Sequence, residues 1–172
     1  MIGPSRLHMP KALATTMRDD LARPRRIAAE RVGIVLVRYA SVYATNVIVV
    51  VGYEPAPDVA YVKGRAAANF DVRWLMTSAE KATEMKCGVL WAHLHEHSGS
   101  PRFSPTDMQT SRSICPALWL ACPRFPQGAL VLSDNQASAL IVSDRQRLKS
   151  IDVVREIGRI QRTIQRDGEG RG

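Results

Sequence analysis

Three of the four histidines in this chain lie within five residues, His93-Leu94-His95-Glu96-His97, and Ser104-Pro105-Thr106-Asp107 follows shortly after. Two imidazoles one residue apart, with a carboxylate about ten residues on, form the ligand set of a mononuclear zinc site. Such a set supplies two neutral nitrogens and one oxygen and leaves a fourth position for water, as catalytic zinc sites do. Zinc lowers the pKa of a bound water from about 15.7 to about 7. Hydrolysis then needs two further groups: a base for the water's proton and a donor for the developing oxyanion.

Other hydrolytic zinc patterns fail. H-E-x-x-H is absent, because His95-Glu96 is followed by His97-Ser98. The deaminase pattern H-x-E with P-C-x-x-C is also absent, since Cys115 and Cys122 are too widely spaced. With Cys87, the cysteines are three in number and lack C-x-x-C spacing, so buried free thiols are expected and neither a disulfide framework nor a thiolate site.

The elements that must position these groups are legible in outline. Leu13, Met17 and Leu21 at four-residue spacing predict a short amphipathic helix over 11–22. Val32–Val37 and Asn46–Val51 are β-branched runs of buried-strand length, and Gly52–Asp58 reads as a loop. Ala60–Ala68 is a further candidate strand. Thr77-Ser78-Ala79-Glu80 has capping-box spacing, which predicts a helix from about Ser78 to Lys86 stopped by Gly88. Val89–His95 reads as a strand, so His93 and His95, and His97 if the strand runs on, project to one face. Ser104-Pro105 then opens a helix as N-cap and first residue, with Asp107 in the first turn near the positive end of the dipole. Strands at Ala129–Leu132 and Ala139–Val142 are joined by the turn 133–136, and residues 147–166 fit a basic helix before a frayed tail. Strands interleaved with helices predict one α/β domain around a curved mixed sheet.

At 172 residues and 45 % hydrophobic content the chain can bury a core without disulfides. Its apolar runs are too short to cross a bilayer, and no secretory signal is seen, so the cytosol is the default expectation. The net charge of +8 resides in the ends: residues 1–31 hold 7 basic and 3 acidic groups, residues 145–172 hold 8 and 4, and residues 32–144 hold 9 of each. A neutral middle with basic flanks suits docking to an acidic partner better than a nucleic-acid groove.

The segment resembles the JAMM (JAB/MPN) metallopeptidase family, whose motif is an upstream Glu, then H-x-H, about seven residues, then S-x-x-D. His93-Leu94-His95 and Ser104-Pro105-Thr106-Asp107 fit with eight intervening residues, and Glu30-Arg31-Val32-Gly33-Ile34-Val35-Leu36 fits the family's E-x-x-G-[IV]-x-L. The resemblance spans about residues 6–145 and is nearest the compact prokaryotic members associated with ubiquitin-like conjugation systems. It implies a JAB/MPN, deaminase-like architecture in a single domain. It further implies one zinc ion on His93, His95 and Asp107, with Glu30 as the base that relays a proton to the leaving amine. Ser104 is the implied oxyanion donor. The implied activity is cleavage of peptide or isopeptide bonds after the C-terminal glycine of a ubiquitin-like or sulfur-carrier protein, in a system with an E1-like activating enzyme. Many members carry Pro where this chain has Glu96, and the extra loop residue leaves open a register in which His97 substitutes for a ligand.

Glu54, Glu80 and Glu84 are the rival bases; Glu80 is better explained as a cap residue and Glu84 by an exposed helix face. Trp74, Trp91 and Trp119 read as core. Two other function classes stand beside the enzyme: a non-catalytic scaffold of the same fold, and a nucleic-acid module using the basic ends. Residues 53–71 are a candidate contact for the modifier.

Overall fold

The two β-branched runs form the middle of an eight-stranded mixed sheet, seen in a computed structural model that describes residues 6–24, 30–42, 45–61, 70–143 and 147–158. The strands are β1 (Arg6–Pro10), β2 (Val32–Val42), β3 (Thr45–Pro55), β4 (Gly88–Leu94), β5 (Gln127–Leu132), β6 (Ala137–Val142), β7 (Leu148–Ser150) and β8 (Val153–Ile157). The helices are α1 (Lys11–Leu21), α2 (Val72–Glu84) and α3 (Pro105–Ala121). The spatial order is β7-β6-β5-β4-β2-β3-β1-β8, with β1 parallel to β3 and β8, β4 parallel to β5, and the remaining pairs antiparallel. Strands β7 and β8 stand at opposite ends of that order, yet only Ile151 and Asp152 separate them in the chain. The sheet therefore curls until its two edges meet.

Alternation along the strands sorts side chains onto two cores. Val32, Ile34, Val89, Trp91 and Ala129 pack with α2 and α3 on one face. Val35, Val37, Leu90, Ala92 and Leu130 pack with Ala14, Met17 and Leu21 of α1 on the other. Covering both faces is what makes β2, β4 and β5 nearly continuous apolar runs. The same parity sends His93 to the α2–α3 face with Trp91. Among the described residues no helix is long and apolar enough to cross a membrane.

Several expectations need correction. Residues 147–158 are not helical: the i, i+3 apolar spacing from Leu148 hides a β-branched segment that pairs β7 with β6 and β8 with β1. Residues 159–172, including the rest of the expected C-terminal helix and its arginines, lie outside the described residues. Helix α2 begins at Val72, with Asp71 as N-cap accepting from the Arg73 amide at 2.9 Å. Thr77 and Glu80 are thus exposed helix-interior residues and no capping box forms there, because Leu75 upstream is buried with Ala79 and Ala82 and extends the apolar stripe. The helix ends at Glu84, and Lys86 takes the left-handed position at φ 57°. Gly88 opens β4 instead, where a Cβ would fall 1.8 Å from the Pro126 carbonyl oxygen. Strand β3 runs through the expected loop as far as Pro55, since β2 continues to pair with it there. Of the candidate strand at 60–68, Ala60 closes a 3-10 turn (Asp58–Ala60) and Tyr61 bridges Phe70, while 62–69 lie outside the described residues.

Candidate metal centre

The centre is built where β4 ends and α3 begins. His93 is the sixth residue of β4, paired on one side with Val32 of β2 and on the other with Val131 of β5. His95 lies just past the strand, and its amide donates to the Leu132 carbonyl at 2.9 Å, which keeps it on the same face. Ser104 and Asp107 form a reciprocal capping box at the start of α3. The Asp107 amide donates to Ser104 Oγ at 3.1 Å, and the Ser104 amide donates to Asp107 Oδ2 at 2.7 Å. The cap engages Oδ2, which also faces His95, and leaves Oδ1 facing His93.

His93 Nε2 lies 3.2 Å from His95 Nε2 and 3.2 Å from Asp107 Oδ1, and His95 Nε2 lies 3.3 Å from Asp107 Oδ2. Two ligands on a tetrahedral ion with bonds of about 2.0 Å sit about 3.3 Å apart. That is the spacing of the two imidazole nitrogens and of each from one Asp107 oxygen. The three residues could hold an ion, with one ligand atom from each within 4.8 Å of the others. Among the described residues this is the one group of His, Cys, Asp or Glu close enough to share a metal. Side-chain exposures of 0 % for His93, 6 % for Asp107 and 18 % for His95 place the open side at His95. Burial pushes the Asp107 carboxyl up, but hydrogen bonding to His93, the charge there and the Ser104 cap together outweigh it. The carboxyl is held well below the usual carboxylate range, ionised and ready to ligate.

His97 turns away. It is exposed, and its Nδ1 lies 3.0 Å from the Ser98 carbonyl oxygen. The loop after His97 is anchored to the β5–β6 turn: the Gly99 amide bonds Asn135 Oδ1 at 2.9 Å, and Ser133 Oγ donates to the Gly99 carbonyl at 2.5 Å. Gly99 itself sits at φ 95°, a conformation open mainly to glycine.

Glu30 is outside the ligand group but beside it. The antiparallel β2–β4 ladder ends at the Val32–His93 pair, and Glu30 and His95 each lie two residues beyond it. Both line a cleft of about 480 Å³ with Arg23, Arg31, Leu94 and Glu96. One carboxylate oxygen of Glu30, Oε2, is buried without a hydrogen-bond partner among the described residues. Of the rival bases, Glu54, Glu80 and Glu84 are all exposed and none lines this cleft.

The sequence reading missed the supports. Tyr61 clamps the start of β2: its hydroxyl accepts from the Val32 amide at 2.9 Å and donates to the Val32 carbonyl at 3.2 Å. The Tyr53 ring lies across Gly33, where a Cβ would fall 2.4 Å from the ring. Tyr53 Oη donates to Asp20 Oδ2 at 2.6 Å, which ties the end of α1, one wall of the cleft, to the sheet. Trp91 is buried as expected, and it also stacks on His93 with centroids 4.8 Å apart at 10°, while Phe103 meets the imidazole edge-on at 6.3 Å. A tryptophan two residues before the first histidine shares its strand face, and that parity was the available signal. Cys87, Cys115 and Cys122 are buried free thiols. No family model matches this sequence, and no curated protein matches it either.

Proposed function

We propose that this chain is a zinc-dependent peptidase or isopeptidase of JAMM type, acting after the C-terminal glycine of a ubiquitin-like or sulfur-carrier protein. The observation that carries the reading is the cluster of His93 Nε2 and His95 Nε2, 3.2 Å apart, with Asp107 Oδ1 3.2 Å from the first and Oδ2 3.3 Å from the second, opening beside Glu30. Its support is chemical: two imidazoles and an ionised carboxylate suit zinc, and the exposed edge at His95 leaves room for a fourth ligand. A zinc ion held by these three residues would supply a Lewis acid to polarise the scissile carbonyl and acidify water.

The chain's own groups then divide the remaining work. Glu30 offers a carboxylate oxygen without a hydrogen-bond donor among the described residues, suited to take the proton of an attacking water and pass it to the leaving amine. Ser104 Oγ accepts the Asp107 amide, which leaves its O–H to donate to the oxyanion that develops on the carbonyl. Buried Trp91, stacked on the imidazole, and partly buried Phe103, edge-on to it, hold His93 in place.

The test pairs metal analysis with hydrolysis of a ubiquitin-like protein carrying a fluorogenic amide on its C-terminal glycine. Wild type should hold one zinc per chain and cleave. Glu30→Gln should retain zinc and lose at least about 100-fold in rate, the usual scale of acid–base catalysis. Asp107→Ala should lose both zinc and activity. Zinc-loaded protein that binds the modifier yet leaves every conjugate intact would replace the enzyme with a scaffold. Wild type without metal after gentle purification would end the proposal.

A further inference from the structure

We propose that Ser111 is a positioning residue for the metal centre: its hydroxyl takes the Nδ1 hydrogen of His93, directly or across one buried water, and so fixes the tautomer that presents Nε2 to the ion. The inference rests on the metal-centre reading above. It starts from polar atoms buried under the site without a partner among the described residues: His93 Nδ1, Ser111 Oγ and Trp91 Nε1.

Their positions converge. Asp107, Ser111 and Cys115 are four residues apart on α3 and all buried, so they line one face of the helix. Asp107 reaches His93, and Cys115 lies beside the Trp91 indole. Ser111 therefore stands between those two contacts, facing the stacked Trp91–His93 pair. Trp91 Nε1, on the indole beside Cys115, is likewise buried and without a hydrogen-bond partner among the described residues. A serine inside a helix commonly donates to the carbonyl four residues back. Ser111 makes no such bond, and with no exposure its hydroxyl has only the sheet side left to serve.

The chemistry requires an acceptor here. An imidazole that ligates through Nε2 must carry its hydrogen on Nδ1, and metal-bound histidines almost always hand that hydrogen to an outer partner. Beyond Ser111 the buried residues of this α3 face are Ile114, Cys115 and Leu118, which offer no oxygen. If a water mediates, the three polar atoms give it the two to four partners that a buried water needs.

The experiment compares wild type with Ser111→Ala, Ser111→Cys and Ser111→Thr. Zinc affinity is measured by chelator competition, and the imidazole nitrogens of metal-free protein are read by nitrogen-15 NMR. Removing such an outer partner should weaken zinc about 10–100-fold in the Ala and Cys variants. The Thr variant, which keeps the hydroxyl, should stay near wild type. Metal-free wild type should show a slowly exchanging Nδ1–H on His93 that Ser111→Ala loses. A purely structural serine would shift the melting temperature and leave zinc affinity and the nitrogen spectrum unchanged, which would overturn the proposal. So would a His93 in wild type with no hydrogen on Nδ1. If wild type takes up no zinc, the metal reading falls, and the metal-free spectrum alone decides the Ser111–His93 bond.

Discussion

Replacing Gly33 with alanine tests whether the glycine of the E-x-x-G segment is there for Tyr53. A Cβ at position 33 would lie 2.4 Å from both Cε2 and Oη of Tyr53 and 2.6 Å from Cζ, well inside van der Waals contact. Two relaxations are open. If the ring stays, the overpacking costs about 1–3 kcal/mol. If it swings out, Tyr53 loses its 2.6 Å bond to Asp20, a hydrogen bond to a charged group worth about 1.5–3 kcal/mol. Both routes converge on about 1–3 kcal/mol, a fall in melting temperature of about 2–12 °C for a chain of this size. The measurement is thermal unfolding by circular dichroism, with chelator present, of wild type, Gly33→Ala, Tyr53→Leu and the double variant. Leucine removes the atoms that clash, so Gly33→Ala should cost little in that background, with a coupling of about 1–3 kcal/mol. Tyr53→Phe should give no relief, because Cε2 and Cζ remain. Equal cost of Gly33→Ala in the Tyr and Leu backgrounds would refute the reasoning.

Two further outcomes follow from ionisation. Burial pushes the Cys115 thiol up to about 12, and all three cysteines are buried, so a disulfide reagent at pH 8 should label none of them until the protein is unfolded. One fast-reacting thiol in native protein would contradict this. Asp107 has its native pKa held below the ordinary value of 3.8. Its contribution to metal-free stability is therefore fully present above that value and is lost as the pH falls below it toward the native pKa. Urea titrations from pH 5 down to pH 2 should show this loss in wild type, and Asp107→Asn should show a shallower slope.

The site was more legible in the sequence than its frame. His93, His95, Ser104 and Asp107 declare themselves because strand alternation and an N-cap are local rules, and both operate here. The choice between His93 and His97 was not local: it depends on where β4 ends and on the bonds that tie the following loop to residues 133–135. The C-terminal strands were misread for a related reason. Leu148, Ile151 and Val154 suit a helix in isolation, and only the vacant edges of β6 and β1 make them strands. Helix α2 failed at its start because a plausible capping box at Thr77 competed with a real cap at Asp71. Ser111 and Tyr61 were invisible for want of any pattern, since their importance lies in which backbone or ring atom stands opposite.

The pairing of β1 with β8 joins residues 6–10 to residues 153–157. Parallel pairing across so long a span makes closure of the curled sheet a late event, because β1 must wait until β8 has been synthesised. Until then α1 has a partly built cradle, and its buried Met17 and Leu21 are the apolar surface for a chaperone to shield. The cleft wall that α1 supplies is accordingly completed only once β8 has joined β1.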